Sequence, residues 1–203
     1  MRRIGSAGAV LAAGLLLVTG CSGGGSDSGP RVTKALAESV PKGCGHYLKP
    51  ESVAAALGAN KFAGASGRFR DGKGSCSVDI KVGEAGRDGM DGPQHINVKF
   101  SLEIFDWGPA LVAESLKEKC HAAGDDGVTS TFKGPKGACG VYRAEPTEEF
   151  LVGGRLDAYA GEGRKLLTIT FHGVDGTLKK DRGRVLRLLA DARAEARAQA
   201  SGS

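Results

Sequence analysis

From Cys76 to Val82 apolar and polar side chains alternate, with Cys76, Val78, Ile80 and Val82 set against Ser77, Asp79 and Lys81. A period of two marks a strand with one wet face. Ile96, Val98, Phe100, Leu102 and Ile104 repeat the pattern and form the strongest strand signal in the chain. Shorter runs predict three or four further strands, over Val128–Phe132 (the shortest), Cys139–Arg143, Phe150–Tyr159 and Lys165–His172. The last two are joined by a hairpin loop at Gly161-Glu162-Gly163, and Gly153-Gly154 marks a bulge.

Three other segments carry the helical period. Leu48–Gly58 has Pro50 and Glu51 in its first turn, an apolar stripe of Val53, Ala56 and Leu57, and Gly58 as a C-terminal cap. A second helix runs from Pro109 to His121, with Leu111, Val112, Ser115, Leu116 and Cys120 on one side. The last runs from Leu178 to Ala198 on Leu178, Val185, Leu186, Leu189 and Ala192. Val32, Leu36 and Val40 share a face in a short candidate helix that Pro41 is expected to end. Asn60–Gly74 is Gly-rich and basic and reads as a loop or irregular strand; Gly83–Pro93 reads as a turn region. The order α-β-β-α-β-β-β-α implies an α+β fold, a twisted antiparallel sheet with helices packed on one face.

Composition narrows the class. Of 203 residues, 40% are hydrophobic and 25% charged, too apolar for a wholly disordered chain and too polar for a polytopic membrane protein. The formal net charge of +5 drops to +3 without residues 1–20, so the charge does not argue for nucleic acid.

Those first residues have their own pattern. Arg2 and Arg3 precede an apolar stretch from Ala7 to Val18, shorter than the ~20 residues of a spanning helix. Val18-Thr19-Gly20-Cys21 follows, small residues leading straight into a cysteine where a plain secretory leader would have a small-x-small cleavage site. The segment resembles the lipobox of bacterial lipoproteins. That resemblance implies alkylation of the Cys21 thiol by diacylglycerol, cleavage before it, and acylation of the new amine. Two or more acyl chains, at about 0.8 kcal/mol per buried methylene, give stable attachment where one does not. The implied address is the extracytoplasmic face of the cell membrane, with the membrane itself as a partner. The expected organisation is a signal peptide (1–20), a flexible Gly/Ser-rich tether (21–43), a single α+β domain (44–195) and a disordered tail (196–203).

Cysteine usage agrees with export. Beyond Cys21 there remain Cys44, Cys76, Cys120 and Cys139, an even number that suggests disulfides. Three pairings are open. Cys44–Cys76 with Cys120–Cys139 is preferred, because each bond ties a helix or its lead-in to a neighbouring strand. Successive spacings of 32, 44 and 19 residues do not suit a zinc site, which wants close pairs. Free structural thiols are the remaining alternative.

A cysteine before an L-x-P-E-x-V-x-x-x-L-G helix, followed by a cysteine opening a strand, is similar to a family of small actinobacterial lipoproteins of unknown function. The residues are Cys44, Leu48, Val53, Leu57, Gly58 and Cys76. The likeness spans residues 44–195 and implies a PsbP-like α+β sandwich with no assigned catalytic residues. Val78 stands where the family usually has an aromatic, and Cys120 and Cys139 have no counterpart in it.

Candidate chemistry is sparse. Gly67–Ser75 nearly spells a phosphate loop, but Gly74 takes the hydroxyl position and a strand follows, so it reads as a basic surface loop. His46, His95, His121 and His172 form no metalloprotease pair, and the Asp88–Asp91 turn lacks the distal Glu of a calcium loop. Glu145, Glu148 and Glu149 read as exposed acids at a strand entrance. Lys179, Lys180, Arg182, Arg184 and Arg187 read as the solvated side of a helix that could approach anionic lipid. Trp107, at a strand-to-helix junction, is the candidate anchor for a ligand or partner, against core packing as the plainer reading. The expectation is a non-catalytic domain without cofactor or metal. It would bind a small ligand or an envelope protein through the sheet face or the loops Asn60–Gly74 and Gly83–Pro93. The alternatives are an envelope hydrolase with a histidine site and an accessory subunit of a membrane complex.

Overall fold

The computed structural model describes residues 31–58, 61–80, 100–121, 129–143, 154–174 and 178–201. Among these residues seven strands form one sheet in the order β1-β2-β3-β7-β6-β5-β4. They are β1 (Phe62–Arg70), β2 (Lys73–Ile80), β3 (Phe100–Asp106), β4 (Thr129–Lys133), β5 (Cys139–Arg143), β6 (Gly154–Glu162) and β7 (Lys165–Val174). Every neighbouring pair is antiparallel. The chain builds β1 to β3 from one edge, crosses to the far edge, and returns through β4, β5 and β6 to lay β7 beside β3. The α+β class and the antiparallel sheet are therefore as expected.

The helices are α1 (Lys34–Cys44), α2 (Pro50–Leu57), α3 (Pro109–His121) and α4 (Leu178–Ser201). Alternation divides the sheet into two faces. Phe100, Leu102 and Ile104 of β3, Leu167, Ile169 and Phe171 of β7, and Leu156, Ala158 and Ala160 of β6 point to one side. There they join Leu36, Val40, Val53, Val185, Leu188, Leu189 and Ala192 from α1, α2 and α4 in the main core. Three helices thus share one face. The fourth, α3, lies across the other, where Leu116 and Cys120 pack on Cys139, Val141 and Tyr159. Topology supplies the reason. The link from β3 to β4 must cross β7, β6 and β5, and the main face is already occupied. Gly161 permits the crossing, since a Cβ there would sit 2.9 Å from Val112 and Leu116.

The domain boundaries move outward at both ends. Residues 34–43, expected to lie in the tether, belong to α1, which buries Leu36 and Val40 completely. The helix also continues through Pro41 instead of ending there. Proline removes one helical hydrogen bond. Against that loss stand the burial of Val40 and Cys44, and the seating of Gly43 on β1, where a Cβ would fall 2.5 Å from Ala65 C. At the other end, residues 196–201 continue α4 and do not form a disordered tail. Ala196 is buried, and Tyr47 donates to Gln199 Oε1 at 2.6 Å.

Asn60–Gly74 is mostly ordered strand. β1 fills most of it and turns through Asp71-Gly72, with φ of 53° and 72°, into β2. Such mirror-image turns match the twist of the flanking strands, and this one leaves the Gly67–Ser75 segment no phosphate-loop shape. The helix at Pro50–Leu57 ends on Gly58 (φ 82°) as read, and the register shift between Gly154 and Leu156 lies beside the expected bulge. Gly83–Pro93, residues 96–99, His95 and Glu145, Glu148 and Glu149 lie outside the described residues.

Both disulfides form with the preferred pairing, Cys44–Cys76 and Cys120–Cys139. The first joins the end of α1 to β2 inside the main core. The second joins the end of α3 to β5 on the opposite face.

Candidate functional site

Along α4, Leu186, Ala190 and Ala194 stand four residues apart beside the main buried stripe. With Leu189, Arg193 and Arg197 they make one wall of a cleft of about 220 Å³. Pro135, Lys136 and Ala138, from the connection between β4 and β5, make the other. That connection is a short 3-10 turn in which Lys136 adopts left-handed backbone angles (φ 55°, ψ 44°), a conformation that carries strain for a residue other than glycine.

Charged groups at the cleft hold its walls together. Arg193 donates through Nη1 to the carbonyl oxygens of Pro135 (3.4 Å) and Lys136 (3.1 Å), and through Nε to Glu162 Oε2 (3.3 Å). Arg197 grips the same carboxylate with two bonds, at 2.9 and 2.8 Å. Hydrogen bonding from Arg197, then its charge and that of Arg193, hold the Glu162 carboxyl below the usual range against the opposing effect of its burial. The guanidiniums are engaged with protein acceptors, so the cleft offers mainly the apolar surfaces of Leu186, Leu189, Ala138 and the alanines.

A second charged group lies on the other face. Asp157 of β6 is fully buried. It accepts from Arg143 Nη1 at 2.9 Å, from Arg155 Nε at 3.0 and 2.9 Å, and from the Thr170 hydroxyl at 2.7 Å. Register dictates the cluster: Arg143 pairs with Arg155 across β5 and β6, and Asp157 with Thr170 across β6 and β7. Next to it on β7, the His172 imidazole is pushed down, first by burial and then by Arg155, with Asp157 opposing in part. Burial and then the Asp157 charge raise the Tyr159 phenol. With all four of these bonds made to it, Asp157 works as a cross-strand staple.

The histidines do not converge among the described residues. His46 lies in the 3-10 turn Gly45–Tyr47, which packs against α4, while His172 faces away on the far side of the sheet. His121 is exposed at the end of α3. No group of three His, Cys, Asp or Glu among the described residues has the geometry to hold a metal. In the α4 basic run, Arg182 donates to Lys133 O at 2.9 Å and lies over the Phe132 ring, and Arg184 pairs with the buried Asp181.

Trp107 follows β3 directly. Its backbone N–H and that of Gly108 donate to Arg164 O at 3.1 and 3.2 Å, docking the junction on the β6–β7 turn. The indole stays 41% exposed and leans on Phe105 with ring centroids 5.1 Å apart. Leu111, placed inward by its helical spacing, is 55% exposed instead. Of that stripe Val112 is buried and Ser115, Leu116 and Cys120 are half-buried, so α3 covers the sheet with a narrow strip. Cys21 lies outside the described residues, and no described helix is long and apolar enough to cross a membrane.

No family model, curated protein or solved structure matches this chain. The sequence pattern does not predict the cleft. Its one signal there is the four-residue spacing of Leu186, Ala190 and Ala194, a second small apolar stripe that a single-stripe reading of α4 absorbs.

Proposed function

We propose that this chain is a lipid-anchored, extracytoplasmic binding domain that takes the alkyl part of a small amphiphile into the cleft beside α4. The observation that carries the reading is the combination of an apolar trough with two rim guanidiniums, Arg193 and Arg197, committed to Glu162. Such a site provides apolar contact, and the ammonium of Lys136 at its edge is, among the described residues, the one lining charge left to meet a polar headgroup. None of its lining residues is a histidine, which counts against a hydrolase at this position. At about 220 Å³ the cleft falls below the ~300–1,000 Å³ of pockets that enclose whole drug-sized ligands, so it suits a short alkyl segment. The Cys21 motif and the two disulfides support the extracytoplasmic address.

Two variants test the two halves of this reading. Ala190 is exposed on α4, so Ala190→Phe fills the trough without disturbing the core. Binding of a fluorescent alkyl carboxylate is expected to weaken about tenfold or more, the scale of one displaced apolar contact. Unchanged affinity removes the cleft from consideration. Cys21→Ser is expected to move the protein from the membrane pellet to the soluble fraction, since without acyl chains nothing of comparable strength holds it. Continued pelleting after a carbonate wash contradicts the anchor.

A further inference from the structure

We infer that the end of the sheet carrying Trp107 is a membrane-docking surface, on which Trp107 and Leu111 enter the interface of an anionic bilayer while neighbouring basic side chains meet its headgroups. This rests on the lipid-anchoring reading above.

Register gathers the parts at one end. Arg70 pairs with Lys73 across the β1–β2 turn, Gly74 with Ile104, and Asp106 with Lys165, so that turn, the β3–α3 junction and the β6–β7 turn lie flush. Trp107 and Leu111 are the large apolar side chains left exposed among the described residues, and they sit one helical turn apart at this end. Around them stand Arg68, Arg70, Lys73, Arg164 and Lys165. The described acids among these turns are spoken for: Asp71 pairs with Arg70, Asp106 with Arg164, and Glu162 with Arg193 and Arg197. Arg68, Lys73 and Lys165, the last donating to Gln199 Oε1 at 3.5 Å, then outnumber Glu103 on β3 and Glu114 on α3 by one and leave a small positive excess. An indole combines an apolar body with one N–H donor, which suits the headgroup level of a bilayer, and each basic residue adds attraction to anionic lipid.

Size selects the bilayer over a protein partner. Two side chains and a basic rim fall far short of the ~800 Å² per partner of a stable protein interface. An anchor changes that arithmetic, because it already holds the domain at the surface and makes docking intramolecular. The ten peptide units from Cys21 to Arg31 reach at most ~36 Å, comparable with the width of a domain of this size. The anchor therefore leaves the domain free to turn, and the surface that matches the bilayer decides which way it faces.

Trp107 is the single tryptophan of the chain, so it is its own probe. Full-length lipidated protein is reconstituted into phosphatidylcholine–phosphatidylglycerol vesicles with brominated acyl chains, and vesicle attachment is scored by sedimentation. Attached protein is expected to show blue-shifted emission that bromolipid quenches. Leu111→Asp, at an exposed position, is expected to lower the quenched population about five-fold, as is Lys73→Glu. Attached protein with solvated, unquenched emission overturns the docking and leaves the anchor standing. A blue shift without bromolipid quenching assigns Trp107 to protein contact and also overturns it. Failure to attach overturns the anchor, and the docking with it.

Discussion

Asp157→Ala is expected to lower the unfolding free energy by about 3 kcal/mol, read as a shift of the urea midpoint at unchanged slope. Its four bonds come from three neighbours, two guanidiniums and a hydroxyl. Removing it leaves two cations side by side on β5 and β6 and strands the Thr170 hydroxyl. Losing one partner of a buried pair costs about 3–5 kcal/mol. The lower end applies here because the Arg143 and Arg155 side chains are 33% and 45% exposed and can rehydrate. Arg155→Ala is expected to cost only about 1 kcal/mol, since Asp157 keeps Arg143 and Thr170. Equal costs for the two variants would show that Asp157 is not the hub of the group.

Removing the Cys44–Cys76 bond as Cys44→Ala/Cys76→Ala is expected to cost about 4–5 kcal/mol, and removing Cys120–Cys139 about 3. Loop entropy alone separates them little, because closures of 32 and 19 residues are worth about 3.7 and 3.2 kcal/mol. Burial makes the difference. Cys44 and Cys76 are enclosed in the main core, so alanines there also leave empty space, whereas Cys120 is half-buried beside α3. The same contrast predicts the order of reduction. Under mild dithiothreitol, thiol labelling is expected at Cys120 and Cys139 first, and at Cys44 and Cys76 only on global unfolding. Simultaneous labelling of all four would sink this account. Against a typical stability of ~5–15 kcal/mol, loss of the core bond threatens the fold itself.

Local rules reached far into this molecule because they act on neighbouring residues. Pro50, Glu51 and Gly58 delimit α2 through groups within one helix, and the alternation around Leu102 marks β3 through its own side chains. The same rules leave β1 undecided between a loop and an irregular strand. Its glycines and arginines show little alternation, and it becomes a strand by pairing with β2 and taking α1 on its inner side. Pro41 misled for a related reason: a penalty counted within the helix was outweighed by packing on β1 that lies 24 residues further along at Ala65. Trp107 was singled out by residue type and position. Its exposure depends on how narrowly α3 covers the sheet, which no local pattern records.

What the chain declares by itself is therefore the strand and helix periods, the α+β class and a preference among three cysteine pairings for the one that joins helix to strand. Each is carried by residues close in sequence or by a simple count. The face taken by α3, the joining of α1 and the end of α4 to the core, the Asp157 cluster and the cleft between α4 and the β4–β5 turn were decided only in three dimensions. They depend on contacts between residues such as Glu162 and Arg197, or Tyr47 and Gln199, that become neighbours only once the sheet has closed its register.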